Sequence, residues 1–288
     1  MLPFETLQEA ELFLGRNLTF AEELWFKYSA QKSDYFLYCH NTIFLFIFYT
    51  VLPLPYVALE LTRSRRIDRY KIQPKTKNSL SDMLDCYVKV LKTFVVAVVP
   101  LQIFSFPVIQ MIGIRTSLPL PSGSELFWQI LTYFLVEDYA NYWMHRFLHQ
   151  KWGYENIHRV HHEYTAPIGF AAPYAHWAEV ITLGLASFLG PVIAPGHMVT
   201  FWLWMIVRQM EAVETHSGYD FPWSPLKYIP FYGGAVFHDY HHYVGGKSQS
   251  NFASVFTYCD YIYGTDKGYR YKKDVFDKTR EKTEPKQE

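Results

Sequence analysis

Long uncharged stretches alternate with short charged connections along this chain. Residues 35–59 carry no Asp, Glu, Lys or Arg, and neither do residues 93–114. Each is long enough for a transmembrane helix of roughly 20 residues. A third uncharged run, 180–207, is too short for two full spans of about 20 residues and long for one. Gly190, Pro191, Pro195 and Gly196 interrupt its middle, as a turn does. It reads as a helical hairpin dipping into one leaflet, or as two short tilted helices. Residues 126–136 open another apolar helix, which continues through polar positions toward His145.

These patterns predict an all-α integral membrane protein with about three transmembrane helices plus a broken helical hairpin. The division expected is a membrane anchor over 1–125 with two transmembrane helices, a histidine-rich domain over 126–270, and a charged tail over 271–288. The first 30 residues lack a basic start and a continuous apolar core, so the first span is expected to be an uncleaved anchor. Between the first two spans lie Arg63, Arg65, Arg66, Arg69, Lys71, Lys75 and Lys77, whereas the 115–125 connection holds only Arg115 and Glu125. The basic loop is therefore expected in the cytosol and the other in the lumen. The third helix then returns its histidines to the cytosolic side. The N-terminus falls in the lumen, where Asn17-Leu18-Thr19 is a usable glycosylation sequon.

Composition narrows the class further. Lys and Arg number 27 against 27 Asp and Glu, so no overall field favours nucleic acid. The mean hydropathy of −0.07 averages a polar half with an oily half. Cys39, Cys86 and Cys259 form no C-x-x-C pair, which argues against a disulfide framework and a sulfur-ligated metal.

The candidate chemistry lies in the histidines. Eight of twelve fall into three clusters: His145 and His149; His158, His161 and His162; His238, His241 and His242. Spacings of four, or three then one, place imidazoles on one helix face at successive turns. Imidazole suits zinc, copper and iron. One tetrahedral zinc needs about four ligands, so eight or more point to two metal ions. His216 and His176 flank the 180–207 hairpin and are further ligand candidates. His40 and His197 lie in apolar runs and read as structural. Glu137, Asn141, His145 and His149 recur every four residues and share a broad helix face. Metal-bound imidazole commonly donates its other N–H to a carboxylate, a role that Glu137 or Asp138 could fill.

The arrangement resembles the fatty acid hydroxylase superfamily of membrane di-iron oxygenases. The stretches that carry the resemblance are His145-Arg146-Phe147-Leu148-His149, His158-Arg159-Val160-His161-His162 and His238-Asp239-Tyr240-His241-His242. Within it, Glu137-Asp138-Tyr139, His162-Glu163-Tyr164-Thr165-Ala166-Pro167 and Gly264-Thr265-Asp266 are similar to the sterol C4-methyl oxidases, and the runs from Gly169 through Glu179 and from Glu214 through Pro225 to the plant enzymes among them, particularly the group acting on 4,4-dimethyl sterols. The resemblance implies a cytosolic di-iron domain in the endoplasmic-reticulum membrane, with two non-haem iron ions and stepwise oxidation of a C4 methyl group to the carboxylate. It further implies dioxygen, electrons from cytochrome b5 and its NAD(P)H-dependent reductase, and a sterol dehydrogenase that decarboxylates the product. Tyr139, Tyr142, Trp143, Phe170, Tyr174 and Trp177 are aromatic candidates for the sterol pocket. The competing readings are another di-iron lipid oxidase (a sterol C5-desaturase, a fatty-acyl hydroxylase or an aldehyde-processing wax enzyme) and a non-catalytic membrane protein with a zinc site.

Overall fold

A computed structural model describes residues 4–62, 64–247 and 249–273. The charged tail expected at 271–288 lies outside them from residue 274 onward. Among the described residues the chain is α-helical, with isolated bridges in place of strands.

The helices begin and end where the sequence supplies reasons. After α1 (Leu7–Leu14), α2 (Phe20–Ser29) starts on a capping box in which Thr19 and Glu22 satisfy each other's backbone N–H. Ser33 caps α3 (Asp34–Val51), and Pro53 separates it from α4 (Leu54–Thr62), which carries Pro55 in its first turn. The short α5 (Arg65–Asp68) lies in the basic loop. A second capping box, Ser79 with Asp82, starts α6 (Leu80–Thr93). A π-helical turn, Phe94–Val98, joins it to α7 (Val99–Phe104) just before Pro100, which has no N–H for the helical ladder. α8 (Phe106–Ile112) follows.

Two continuous stretches, Asp34–Thr62 and Leu80–Phe104, are long and apolar enough to cross a membrane. Only 11% and 28% of their apolar windows are buried inside the protein. A core helix would bury most of its surface, so these helices offer theirs to lipid. Ile43, Phe46, Ile47, Val95, Val96 and Phe104 are among the exposed side chains.

α9 (Gly123–Leu148) is the frame of the molecule; at 1.5 Å per residue its 26 residues run about 39 Å. A short α10 (Lys151–Asn156) follows it. The hairpin forms as α11 (Trp177–Ile193) and α12 (Met198–Thr215). α11 runs through Gly190 and Pro191 to Ile193, so the break is confined to 194–197. Gly190 is there for contact with α9: a Cβ on it would meet the Tyr133 backbone at 2.6 Å. α13 (Gly234–Val244) and α14 (Tyr258–Tyr263) follow, and the last described residues, 267–273, are again helical.

The connections gather at two ends. At one, the Trp25 indole donates to the Thr116 carbonyl (2.8 Å), Thr116 donates to Asp34 (2.7 Å), and Arg115 bonds the hairpin turn at Gly196 and Met198. The other end holds the histidines, and the loop after α4 is tied into it. The Ile72 amide donates to Gly218, the Asp220 amide to Tyr70, and Gln73 to the Thr165 carbonyl and Asp239.

Candidate metal centre

Four elements deliver nine buried histidines to that second end. α9 supplies His145 and His149 from its last turn, and α12 supplies His216 at its C-cap. α13 carries His238, His241 and His242. The second cluster departs from the expected α-helix: His158–Glu163 is a 3-10 helix.

The rings sort into two groups whose potential ligand atoms lie within 4.8 Å of one another. One group holds His145, His149, His158, His162 and His241; the other holds His161, His216, His238 and His242. Histidines four apart stay together, as α-helical spacing requires for 145/149 and 238/242, and His158 and His162 do so in the 3-10 helix. The middle histidine of each H-x-x-H-H stretch crosses over: His161 leaves its neighbours for the second group, and His241 for the first. Neighbouring residues point to different sides of a helical turn, so adjacent histidines can serve two centres at once.

Hydrogen bonds fix most of these rings through Nδ1. His145 donates to the Phe252 carbonyl (2.8 Å), His161 to Tyr174 (2.9 Å), His216 to Ala212 (2.8 Å), His241 to Ser250 (2.7 Å) and His242 to Tyr164 (3.1 Å). His158 donates to the Glu179 carboxylate (2.9 Å). A carbonyl or carboxylate only accepts, so the proton is on Nδ1 and Nε2 presents a lone pair. Those lone pairs face one another. Nε2 of His145 is 3.0 Å from that of His158, and Nε2 of His216 is 3.3 Å from that of His161. Facing lone pairs repel unless a cation lies between them. A proton is disfavoured in that position: burial, reinforced by neighbouring imidazoles, holds His158, His162, His238, His241 and His242 below the ordinary imidazole range. An all-nitrogen donor set with most of its outer N–H groups already engaged fits a bound metal ion.

His176 stands outside both groups. It caps α11, with Nδ1 accepting the Ala178 amide at 3.3 Å. His197, read as structural, is fully buried and caps α12; its Nδ1 accepts the Val199 amide and its Nε2 donates to the Ser117 carbonyl. His40 bonds Tyr28 and the Phe36 carbonyl.

The two acids expected to steady an imidazole are otherwise engaged. Asp138 accepts the amides of Val255 (2.8 Å) and Phe256 (3.2 Å), anchoring that loop to α9. Glu137 accepts from Arg208 Nε at 3.0 Å and from Asn141. The carboxylate that does meet an imidazole is Glu179, 2% exposed at the start of α11. Its signal in the sequence was an acid at the edge of an uncharged run, three residues after His176.

A cavity of about 200 Å³ leads to the histidines. His145, His158, His161, His216 and His238 line its inner end, with Glu137, Asn141 and Arg208 beside them. Tyr49, Val90, Phe94, Val98 and Leu183 form its apolar walls. The six aromatic residues expected in the wall lie elsewhere. Tyr142 is buried behind α9 against Phe252 and stacks on Tyr263. Phe170 and Tyr174 pack with Met83 and Cys86. Tyr139, Trp143 and Trp177 are exposed. All six sit near histidine stretches in sequence, whereas the apolar wall of this cavity comes from the apolar helices.

Fold and site together define a helical membrane metalloprotein with a histidine-lined centre. The fatty acid hydroxylase family profile matches residues 130–265. The chain is 66% identical to methylsterol monooxygenase 1-1 of Arabidopsis thaliana, over 98% of this chain and 95% of that protein. It is 63% identical to a very-long-chain aldehyde decarbonylase of Oryza sativa subsp. japonica, over 95% and 91%. Identity to methylsterol monooxygenase 2-2 of Arabidopsis thaliana is 44%, over 88% and 94%. No solved structure matches it. The chain belongs to the fatty acid hydroxylase family, and it is an iron-dependent oxidoreductase.

Proposed function

We propose that this chain is a sterol C4-methyl monooxygenase, oxidising a C4 methyl group of 4,4-dimethyl or 4-methyl sterols stepwise to the carboxylate. The observation that carries the reading is the pair of converging histidine groups at the inner end of a cavity walled by membrane helices. Relatives named methylsterol monooxygenase, alike over nearly the whole chain, support the substrate class.

In this reading the nine histidines hold two iron ions, five rings around one and four around the other. Iron bound there would supply dioxygen activation: with two electrons from cytochrome b5 and its reductase and two protons, one oxygen atom would enter a C–H bond and the other would leave as water. The chain's own residues position and shelter the reaction. Glu179 and the backbone carbonyls orient the rings through Nδ1. Val90, Phe94, Val98 and Leu183 offer the flat ring system an apolar surface. The cavity is smaller than the roughly 300–1,000 Å³ of pockets that enclose a drug-sized ligand, so a sterol seats only its reacting end there. Residues 1–125 act as the anchor and 126–270 as the oxygenase unit, yet Tyr49, Val90, Thr93, Phe94 and Val98 of the anchor line the cavity. The enzyme works in the endoplasmic-reticulum membrane with its histidines toward the cytosol. The chain has no G-x-G-x-x-G stretch for a nicotinamide cofactor, so a separate dehydrogenase removes the carboxylate.

Purified protein with oxygen, cytochrome b5, its reductase and a 4,4-dimethyl sterol should accumulate the 4-carboxy sterol. Arrest at the hydroxymethyl stage, or a ring alkene as product, would sink the three-step assignment. A very-long-chain aldehyde supplied in parallel should remain unchanged; its loss of one carbon would favour the activity named in the rice relative.

A further inference from the structure

We infer that Asn141 and Glu137 form a hydroxyl-recognising subsite that positions the substrate one helical turn from the metal centre. The inference rests on the sterol reading and names the group by which such a substrate is oriented.

Both side chains are buried in α9, at 5% and 1% exposure, and both line the cavity. Their mutual bond fixes their polarity. A carboxylate beside a guanidinium only accepts, so the Asn141 amide nitrogen is the atom that donates to Glu137 Oε1. Arg208 Nε donates to the same oxygen at 3.0 Å. Arg208 is held in turn by Glu211 (2.7 Å) and Ser254. These donors converge on one oxygen of Glu137. Its other oxygen, Oε2, and Asn141 Oδ1 are left buried without a partner. Two unsatisfied acceptors in a buried site carry a desolvation cost that a ligand donor shared between them would lower.

The chemistry of the donor follows from the cavity. Away from its polar inner end the walls include Tyr49, Val90, Phe94, Val98 and Leu183, so the ligand is largely apolar and carries its donor at one end. A neutral alcohol has that property; a ketone, an ether or a carboxylate does not. Asn141 lies four residues before His145, about 6 Å along the helix axis. A hydroxyl held at Asn141 therefore leaves the neighbouring ring carbon, and the methyl groups on it, facing the imidazoles. A 3-hydroxy-4-methyl arrangement matches that offset. Arg208, held by Ser254, fixes the Glu137 carboxylate from within the same cavity lining.

Equilibrium binding to the iron-loaded full chain in nanodiscs, under argon so that no turnover occurs, tests the subsite. The probes are a 4,4-dimethyl-3β-hydroxysterol and its 3-deoxy and 3-oxo counterparts. The unaltered protein should bind the alcohol about 10- to 100-fold more tightly than either counterpart, the range of a hydrogen bond to a charged acceptor. Asn141→Leu removes one acceptor, and Glu137→Gln turns the second into a donor while keeping Oε1 for Arg208. Each should cut the preference to within about 3-fold, with 3-deoxysterol affinity and bound iron unchanged. Equal weakening of all three sterols in both variants would overturn the subsite in favour of a structural role, as would a preserved preference. If the unaltered protein binds all three equally, the subsite falls and the sterol reading stands. If it binds none, both fall.

Discussion

At the scale of single residues, the arrangement of the histidines determines what the centre can do. The pairs 145/149 and 238/242 share a group because four residues make about one α-helical turn, whereas 158/162 share one in a 3-10 helix, where spacing alone does not require it. The two α-helical pairs were legible in the spacing. The crossing of His161 and His241 was not, because it depends on how α13 and the 3-10 helix face each other, which no local pattern encodes. His161→Ala and His241→Ala take one ring from different groups, and each should abolish turnover and lower bound iron. His197→Ala should behave differently. It removes the α12 cap, costs about 1 kcal/mol of stability and leaves bound iron intact. Metal analysis beside thermal unfolding separates these outcomes; equal iron loss at all three positions would mean that the substitutions report folding. Glu179→Ala belongs to the same series. Losing the carboxylate that orients His158 should weaken iron binding about 10- to 100-fold. An unchanged iron affinity would remove Glu179 from the centre's support.

At the scale of elements, uncharged runs and breakers located the helices well. The 180–207 run became α11 and α12, with its turn at 194–197. Gly190 and Pro191 looked like breakers yet lie inside α11. A proline near the end of a helix loses little ladder, and a glycine inside one has a packing use that the sequence does not reveal. The use here is close approach to α9. Gly190→Ala should therefore destabilise the protein by about 1–3 kcal/mol, the usual cost of overpacking. Gly184→Ala on the same helix is the control, since its new methyl would meet only Leu101 at 3.5 Å. That change should be neutral or slightly stabilising, because alanine has the higher helix propensity. Thermal unfolding of the two variants in one detergent compares them, and equal stability would mean that α9 and α11 adjust to the added atom. The pocket wall was the least legible feature. Helix periodicity says which residues are apolar, but not which of several apolar faces borders a cavity.

At the scale of the whole molecule, topology links charge to chemistry. Seven Lys and Arg crowd residues 63–77, and the described part of that segment is bonded to the histidine end through Ile72, Gln73 and Tyr70. Whichever side of the membrane the basic loop takes, the histidines therefore take too. The α2 helix, Asp34, the 113–118 connection and the hairpin turn gather at the opposite end. In the proposed orientation the basic loop stays in the cytosol, the metal centre faces a soluble electron-donating domain, and the N-terminal helices lie in the lumen. In sealed microsomes a tag ahead of residue 1 should be protected from added protease, and a tag inserted between Lys75 and Lys77 should be digested. Digestion of the first tag with protection of the second would reverse the orientation. Digestion of both would mean that the stretch Asp34–Thr62 does not cross the membrane, and that its exposed apolar face is covered in some other way.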